Sequence, residues 1–269
     1  MKKIFIFYCG ILSVLSVRSQ DFSAYAKKSF TYGGEVLNYR ILYPLHYHAG
    51  KMYPLIIFLH GIGERGSDNE KQLKHFARFF LNDSIRRKLE SIVIFPQCPD
   101  SAFWPSYFDL QFDTLTHLGK VTFPYQPNPS KPSLLLKRLT DSLVKVYVAN
   151  PDRLYIGGLS LGGFGTYDFI ERYPGYFAAA FPICGGGDTS FAESIAKKTS
   201  VWIFHGSADP VIHVEYARLY YEVLKKYGAD VKYMEYKGVG HNSWENAMLE
   251  PGLLEWIQEK KKFKATSKN

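Results

Sequence analysis

An open, doubly wound and mostly parallel α/β sheet is the fold this sequence predicts, on three observations. First, continuous apolar runs recur at 53–59, 91–95, 154–156, 177–183, 201–204 and 231–236. Runs without polar alternation fit parallel strands buried on both faces. Second, segments with helical spacing fall between them, at about 69–80, 134–148, 161–173, 214–227 and 243–260. Strand–helix alternation implies right-handed crossovers with helices on both faces of the sheet. Third, residues 29–43 alternate around Gly33-Gly34, which predicts a β-hairpin ahead of the first buried run.

The chain has 269 residues, enough to bury one full α/β core. The expected organisation is a signal peptide over 1–19, one domain over 20–260 and a basic tail over 261–269. The leader reading rests on Lys2-Lys3, an apolar stretch over 4–17 and Val17-Arg18-Ser19 before Gln20. That stretch is short for a membrane span. The expected address is therefore secreted or periplasmic, with no stable membrane anchor after cleavage. Losing Lys2, Lys3 and Arg18 lowers the formal charge from +8 to +5. Much of the remainder lies in the lysines after 259, so no nucleic-acid partner is expected. Cys98 and Cys184 each follow an apolar run. Two other strands should separate theirs, which argues against a disulfide. No cysteine or histidine spacing suits a metal, and no cofactor is expected.

The stretch that carries chemistry is Leu154–Tyr167, LYIGGLSLGGFGTY. Gly158-Leu159-Ser160-Leu161-Gly162 is the G-x-S-x-G turn that holds a serine hydroxyl exposed between a strand and a helix. Glycines belong there because a Cβ would collide with the neighbouring strand or helix. A serine nucleophile needs a base and a group to orient that base, in the chain order serine, acid, histidine. Asp209 follows the fifth run and His241 follows the sixth, so each leaves a strand's carboxyl end as Ser160 does. The competing acid is Asp188, after the fourth run. Backbone N–H groups of Leu161 and Ile62 are the expected oxyanion donors. Gln97, Trp104 and Trp244 are candidates for the substrate wall. His60 and His205 read as structural, His213 as the first turn of a helix, and His46, His48, His75 and His117 as surface residues. Glu64 and Arg65 read as a local pair that shapes the oxyanion loop. Residues 97–132 are long, rich in proline and aromatics, and without periodicity. They read as a substrate-facing loop or partial lid.

Taken together, HGIGERG (60–66), FPQCPD (95–100), YIGGLSLGGFGTYD (155–168), PICGGGD (182–188), WIFHGSADPVI (202–212) and EYKGVGHNSW (235–244) resemble secreted bacterial α/β-hydrolases of the phospholipase/carboxylesterase and feruloyl-esterase-like group. The resemblance implies an α/β-hydrolase fold, with the nucleophile at Ser160, the acid at Asp209 and the base at His241. It implies a cofactor-free serine esterase acting on small or aryl esters of acetyl or feruloyl type, free or linked to plant polysaccharide. A serine peptidase of the same fold and a non-catalytic binding module are the other readings.

Overall fold

The computed structural model describes residues 21–106, 109–112, 119–124, 126–146 and 148–263. The predicted leader and most of the predicted tail lie outside the described residues. Strands β1 (Ala26–Tyr32) and β2 (Glu35–Leu42) form the expected hairpin. Gly33 and Gly34 both take positive φ at its turn. Strand β3 (Tyr53–Leu59) follows, then short helices α1 (Ala77–Leu81) and α2 (Asp83–Lys88), then strand β4 (Ile92–Gln97). Strands β5 (Asp109–Phe112) and β6 (Gly119–Thr122) come next, then α3 (Lys131–Lys145), β7 (Ala149–Leu159) and α4 (Leu161–Arg172). The chain continues through β8 (Ala179–Ile183), α5 (Ala192–Ala196), β9 (Ser200–Gly206), α6 (Glu215–Lys226) and β10 (Val231–Tyr236). Helices α7 (Trp244–Met248) and α8 (Leu253–Glu259) complete it.

The main sheet has the order β1-β2-β4-β3-β7-β8-β9-β10. Pairing is parallel from β4 through β10 and antiparallel where β2 meets β1 and β4. Its central strands are buried on both faces, as the unbroken apolar runs require. One face packs Ile57, Ile94 and Ile156 against α3, α4 and α6, with Leu136, Phe169 and Tyr220 among the contacts. The other packs Phe58, Phe95 and Phe181 against Phe76, Phe80, Trp256 and Ile257.

Two expected helices are broken. Over 69–80 the chain makes a 3-10 turn, then starts α1 after Phe76 in a left-handed conformation, φ 65°. That backbone drives the Phe76 ring into the core, 4.4 Å from Phe58 centroid to centroid. Burying an aromatic ring outweighs the lost helical hydrogen bonds. Over 243–260 the break falls at Pro251-Gly252, where Gly252 has φ 82°. Cys98 and Cys184 are buried and free. They leave β4 and β8, three strand spacings apart in the sheet order, or about 14 Å, well beyond disulfide reach.

The 97–132 segment is more than a loop. It contains the antiparallel β5/β6 pair, whose β6 strand packs against α4 and the residues after β9. Val121 packs with Phe164 and Ile212. The Tyr216 hydroxyl accepts from Val121 N at 2.7 Å and donates to Val121 O at 3.1 Å. The aromatic content of this segment is thus spent partly on anchoring it to α6.

Candidate active site

Strand β7 delivers Ser160 to the start of α4. The turn between them is tight: a Cβ on Gly162 would lie 2.0 Å from Leu59 O, and one on Gly158 would lie 2.4 Å from Gly162 O. Only hydrogen fits at both positions. Ser160 itself holds φ 53° and ψ −116°, a conformation that costs a side-chain-bearing residue about 1–3 kcal/mol. The strain is fixed by Ser160 N donating to Ile183 O at 3.0 Å and Phe164 N donating to Ser160 O at 3.0 Å.

The loops after β9 and β10 complete the constellation. His241 Nε2 lies 2.9 Å from Ser160 Oγ, and His241 Nδ1 lies 2.8 Å from Asp209 Oδ2. Asp209 is 4% exposed. Its Oδ1 accepts from Val211 N at 2.8 Å and Ile212 N at 2.9 Å. Burial alone would raise its pKa. Hydrogen bonds from His205 and His241 and the backbone N–H groups outweigh that effect and hold the carboxyl well below the usual carboxylate range. With Asp209 charged, Nδ1 of His241 carries the proton and Nε2 faces Ser160 as an acceptor. The rival acid, Asp188, caps the turn at Thr189–Phe191 through Ser190 N at 2.9 Å and has no bond to His241.

His205 is a structural histidine, as its place before Gly206 suggested. It is fully buried, with Nε2 2.9 Å from Ile212 O and 3.3 Å from Asp209 Oδ2. His60 is structural too. Its Nδ1 donates to Gly61 O at 2.7 Å, and its Nε2 accepts from Cys98 N at 2.9 Å. Burial pushes its pKa down to about 4, so the ring is neutral.

Leu161 opens α4 and Ile62 opens the 3-10 turn after Gly61. First residues of helical turns have N–H groups with no intrahelical acceptor. The two turns are pressed together: a Cβ on Gly61 would lie 2.9 Å from Leu159 Cδ1 and 3.7 Å from Ser160 Cβ. Paired N–H groups beside a serine hydroxyl can take a developing negative charge.

Several expectations are corrected. Gln97 is 1% exposed and spends its amide on the 64–69 segment. Its Oε1 accepts from Asn69 N at 2.6 Å, and its Nε2 donates to Asp68 Oδ1 at 2.9 Å. Trp104 is fully buried, donates Nε1 to His60 O at 3.2 Å, and packs its Cβ over Gly165. Both brace the 60–69 segment from within and are closed to solvent. Trp244 is half-buried, edge-on to His241 at 5.6 Å and 5.1 Å from His75. It borders the His241 ring. Glu64 and Arg65 do not pair. Glu64 is buried and meets His75 at 3.5 Å and Lys74 at 3.6 Å. Arg65 binds the carbonyls of Ile62, Asp100 and Ala102 and covers the Phe103 ring. His75 is therefore packed against Glu64 and Trp244 and not a free surface residue. His117 lies outside the described residues. Among the described residues, no group of three or more His, Cys, Asp or Glu side chains could hold a metal ion.

The outer face of α4 carries no recognisable motif in the sequence. Phe164, Asp168, Glu171 and Arg172 share that face at helical spacing, and all four line a pocket there. The spacing was legible, but nothing in it marked the face as open.

The model of the Phospholipase/Carboxylesterase family matches residues 47–251. A probable carboxylesterase, SOBER1-like, from Arabidopsis thaliana is 26% identical over 79% of this chain and 80% of its own length. Acyl-protein thioesterase 1 of Neurospora crassa is 24% identical over 70% of this chain and 80% of its own. Among solved structures, a thermostable esterase is 33% identical with a TM-score of 0.78, over 89% of this chain. The chain spans 64% of that protein's length. A ferulic acid esterase superposes with a TM-score of 0.60 at 16% identity, over 86% of this chain and 96% of that one, a likeness of fold.

Proposed function

The chain belongs to the phospholipase/carboxylesterase family of ester hydrolases, and we propose that it works through an acyl-enzyme formed on Ser160. The observation that carries this is the position of His241, within hydrogen-bond distance of Ser160 Oγ and Asp209 Oδ2 at once. Ser160 Oγ attacks the ester carbonyl carbon while Nε2 of His241 takes its proton. Negative charge moves to the carbonyl oxygen, where the N–H groups of Leu161 and Ile62 receive it. The ester C–O bond then breaks, and His241 returns the proton to the departing alcohol. Water repeats the sequence on the acyl-serine and releases the acid. Asp209 stays charged throughout, holding the imidazole in one tautomer and stabilising the imidazolium.

For substrate we propose small or aryl esters, including acyl groups borne on plant polysaccharide, with the aromatic 97–132 segment as support. The leader-like N-terminus supports a secreted or periplasmic address. N-terminal sequencing of the protein from cell fractions and medium tests that address; an intact Met1 in a cytoplasmic fraction would refute it. For the chemistry, p-nitrophenyl acetate turnover and mass addition of a fluorophosphonate at Ser160 are expected, with both lost in Ser160→Ala. Undiminished turnover in that variant removes Ser160 as nucleophile. Cleavage of aminoacyl p-nitroanilides in preference to esters would replace the ester reading with a peptidase.

A further inference from the structure

His205 lies near the carboxyl end of β9, and no step of the reaction above uses it. Its side chain is fully buried. Ring Nε2 is 2.9 Å from Ile212 O. A carbonyl oxygen only accepts, so Nε2 carries a proton and donates it. The same N–H lies 3.3 Å from Asp209 Oδ2, which shares it. Nδ1, across the ring, is buried with no hydrogen-bond partner among the described residues. Leaving a buried ring nitrogen unpartnered is costly. A phenyl or aliphatic side chain would fill the same place without that cost. What Nε2–H does, and not packing, therefore explains a histidine here.

Four N–H groups converge on the Asp209 carboxylate, two on each oxygen. Oδ1 takes the backbone of Val211 and Ile212 at 2.8 and 2.9 Å, which fixes where the carboxylate sits. Oδ2 takes two histidines, His241 Nδ1 at 2.8 Å and His205 Nε2 at 3.3 Å. One of them gains a charge when it takes the Ser160 proton. The other keeps its N–H on Oδ2 throughout. Each hydrogen bond accepted at Oδ2 draws off negative charge that would otherwise act on His241. The remaining titratable groups that face this cluster leave the balance to the two histidines. Cys184, just after β8, stays uncharged because burial pushes its thiol up. Glu235, the partner of His205 in the β10 register, is committed to Arg218 at 2.6 Å.

We propose that His205 is a positioning residue for the reaction: by sharing Asp209 Oδ2 with His241, it limits how strongly the acid holds an imidazolium and so keeps His241 available as a base at lower pH. This rests on the acyl-enzyme reading and assigns a further residue to the same site. An acid that attracted His241 more strongly would keep a proton on Nε2, and Ser160 would lose its acceptor. The hydrogen bond to Ile212 O gives His205 its aim, since Ile212 N in turn binds Asp209 Oδ1. Ring, turn and carboxylate close on one another, so the N–H leaves Oδ2 only if that turn opens.

The test is the pH profile of kcat/KM on p-nitrophenyl acetate, between about pH 5.5 and 9, for three variants. His205→Phe leaves no donor, and His205→Asn is too short to reach Oδ2. His205→Gln returns an N–H to the Nε2 place. In the first two the acid limb should move up by about half to one pH unit, a roughly three- to tenfold loss near pH 6, the worth of one hydrogen bond. Turnover near pH 8.5 should stay within about threefold of wild type. His205→Gln should bring the limb back. The far-downfield NMR signal of the His241 Nδ1 proton should move in His205→Phe and His205→Asn and return in His205→Gln. A limb that stays in place in the folded variants overturns the proposal. So does a loss equal at both ends of the profile, which is what damaged packing alone would give. If His205→Phe does not fold, His205→Asn against His205→Gln decides. An unmoved limb with Ser160-dependent turnover rejects the role of His205 alone. Turnover that survives Ser160→Ala rejects the acyl-enzyme reading beneath it.

Discussion

Replacing Asp209 by asparagine tests the site's logic most sharply, because the structure fixes what the amide would meet. With its oxygen in the Oδ1 place, the amide nitrogen sits 2.8 Å from His241 Nδ1 and 3.3 Å from His205 Nε2. His205 Nε2 already gives its proton to Ile212 O at 2.9 Å. His241 can avoid a donor–donor clash by moving its proton to Nε2, but that nitrogen then points a proton at Ser160 Oγ and is no longer a base. Flipping the amide sets its nitrogen against Val211 N and Ile212 N, at 2.8 and 2.9 Å, which are also donors. Either orientation leaves two buried contacts unsatisfied. The tautomer error should lower kcat about 10⁴-fold, or about 5 kcal/mol of transition-state stabilisation. The mismatched donors should cost a further 1–3 kcal/mol, roughly, of folding stability. The assay is kcat on p-nitrophenyl acetate beside a urea melt, with Asp188→Asn as the partner variant, expected near wild type in kcat. If Asp209→Asn stays within tenfold of wild type, or Asp188→Asn loses more, then the argument from the hydrogen bonds is wrong.

Stability should depend on pH through half-buried Glu171 and buried His60. Glu171 is protonated in the fold up to about pH 8 but ionises near 4.5 when unfolded. The native state holds the extra proton between those values, so stability falls as pH rises through them, by on the order of 5 kcal/mol. His60 takes a proton near 6.5 when unfolded but near 4 when folded, so stability falls as pH drops through that window, by on the order of 3 kcal/mol. Thermal melts should show a plateau between the two ionisations and a decline above it that Glu171→Gln abolishes; an unchanged decline would clear Glu171 of responsibility. Ser160→Gly and Ser160→Ala should both be inactive, with the glycine variant more stable by about 1–2 kcal/mol because it adopts the elbow backbone without strain. Equal melting midpoints would contradict that strain. Gly162→Ala, whose new carbon would sit 2.0 Å from Leu59 O, should cost more than about 4 kcal/mol, read as insolubility or a low melting temperature; a wild-type melt would show the turn to be looser than its contacts state.

What the sequence determined by itself was local. Unbroken apolar runs specify strands buried on both faces, and the glycines at 158 and 162 specify a turn that tolerates no Cβ. Ser160, Asp209 and His241 each follow such a run, so knowing that the strands are parallel already brings them to one edge. Pro251-Gly252 also carries its own break signal, set within flanking periodicity that is helical on both sides. Tertiary structure decided the rest, since it depends on what a side chain finds from distant segments. Gln97 and Trp104 resemble pocket residues by type, yet become struts because the 64–69 backbone and Gly165 offer them buried partners. Phe76 breaks a helix because Phe58 leaves room for its ring. Glu171 shows the difference most plainly. In sequence it is one acidic residue on an amphipathic helix, ordinary and solvated. Only the fold sets it against Asp188 N and Tyr220 Oη and covers it enough to raise its pKa to about 8.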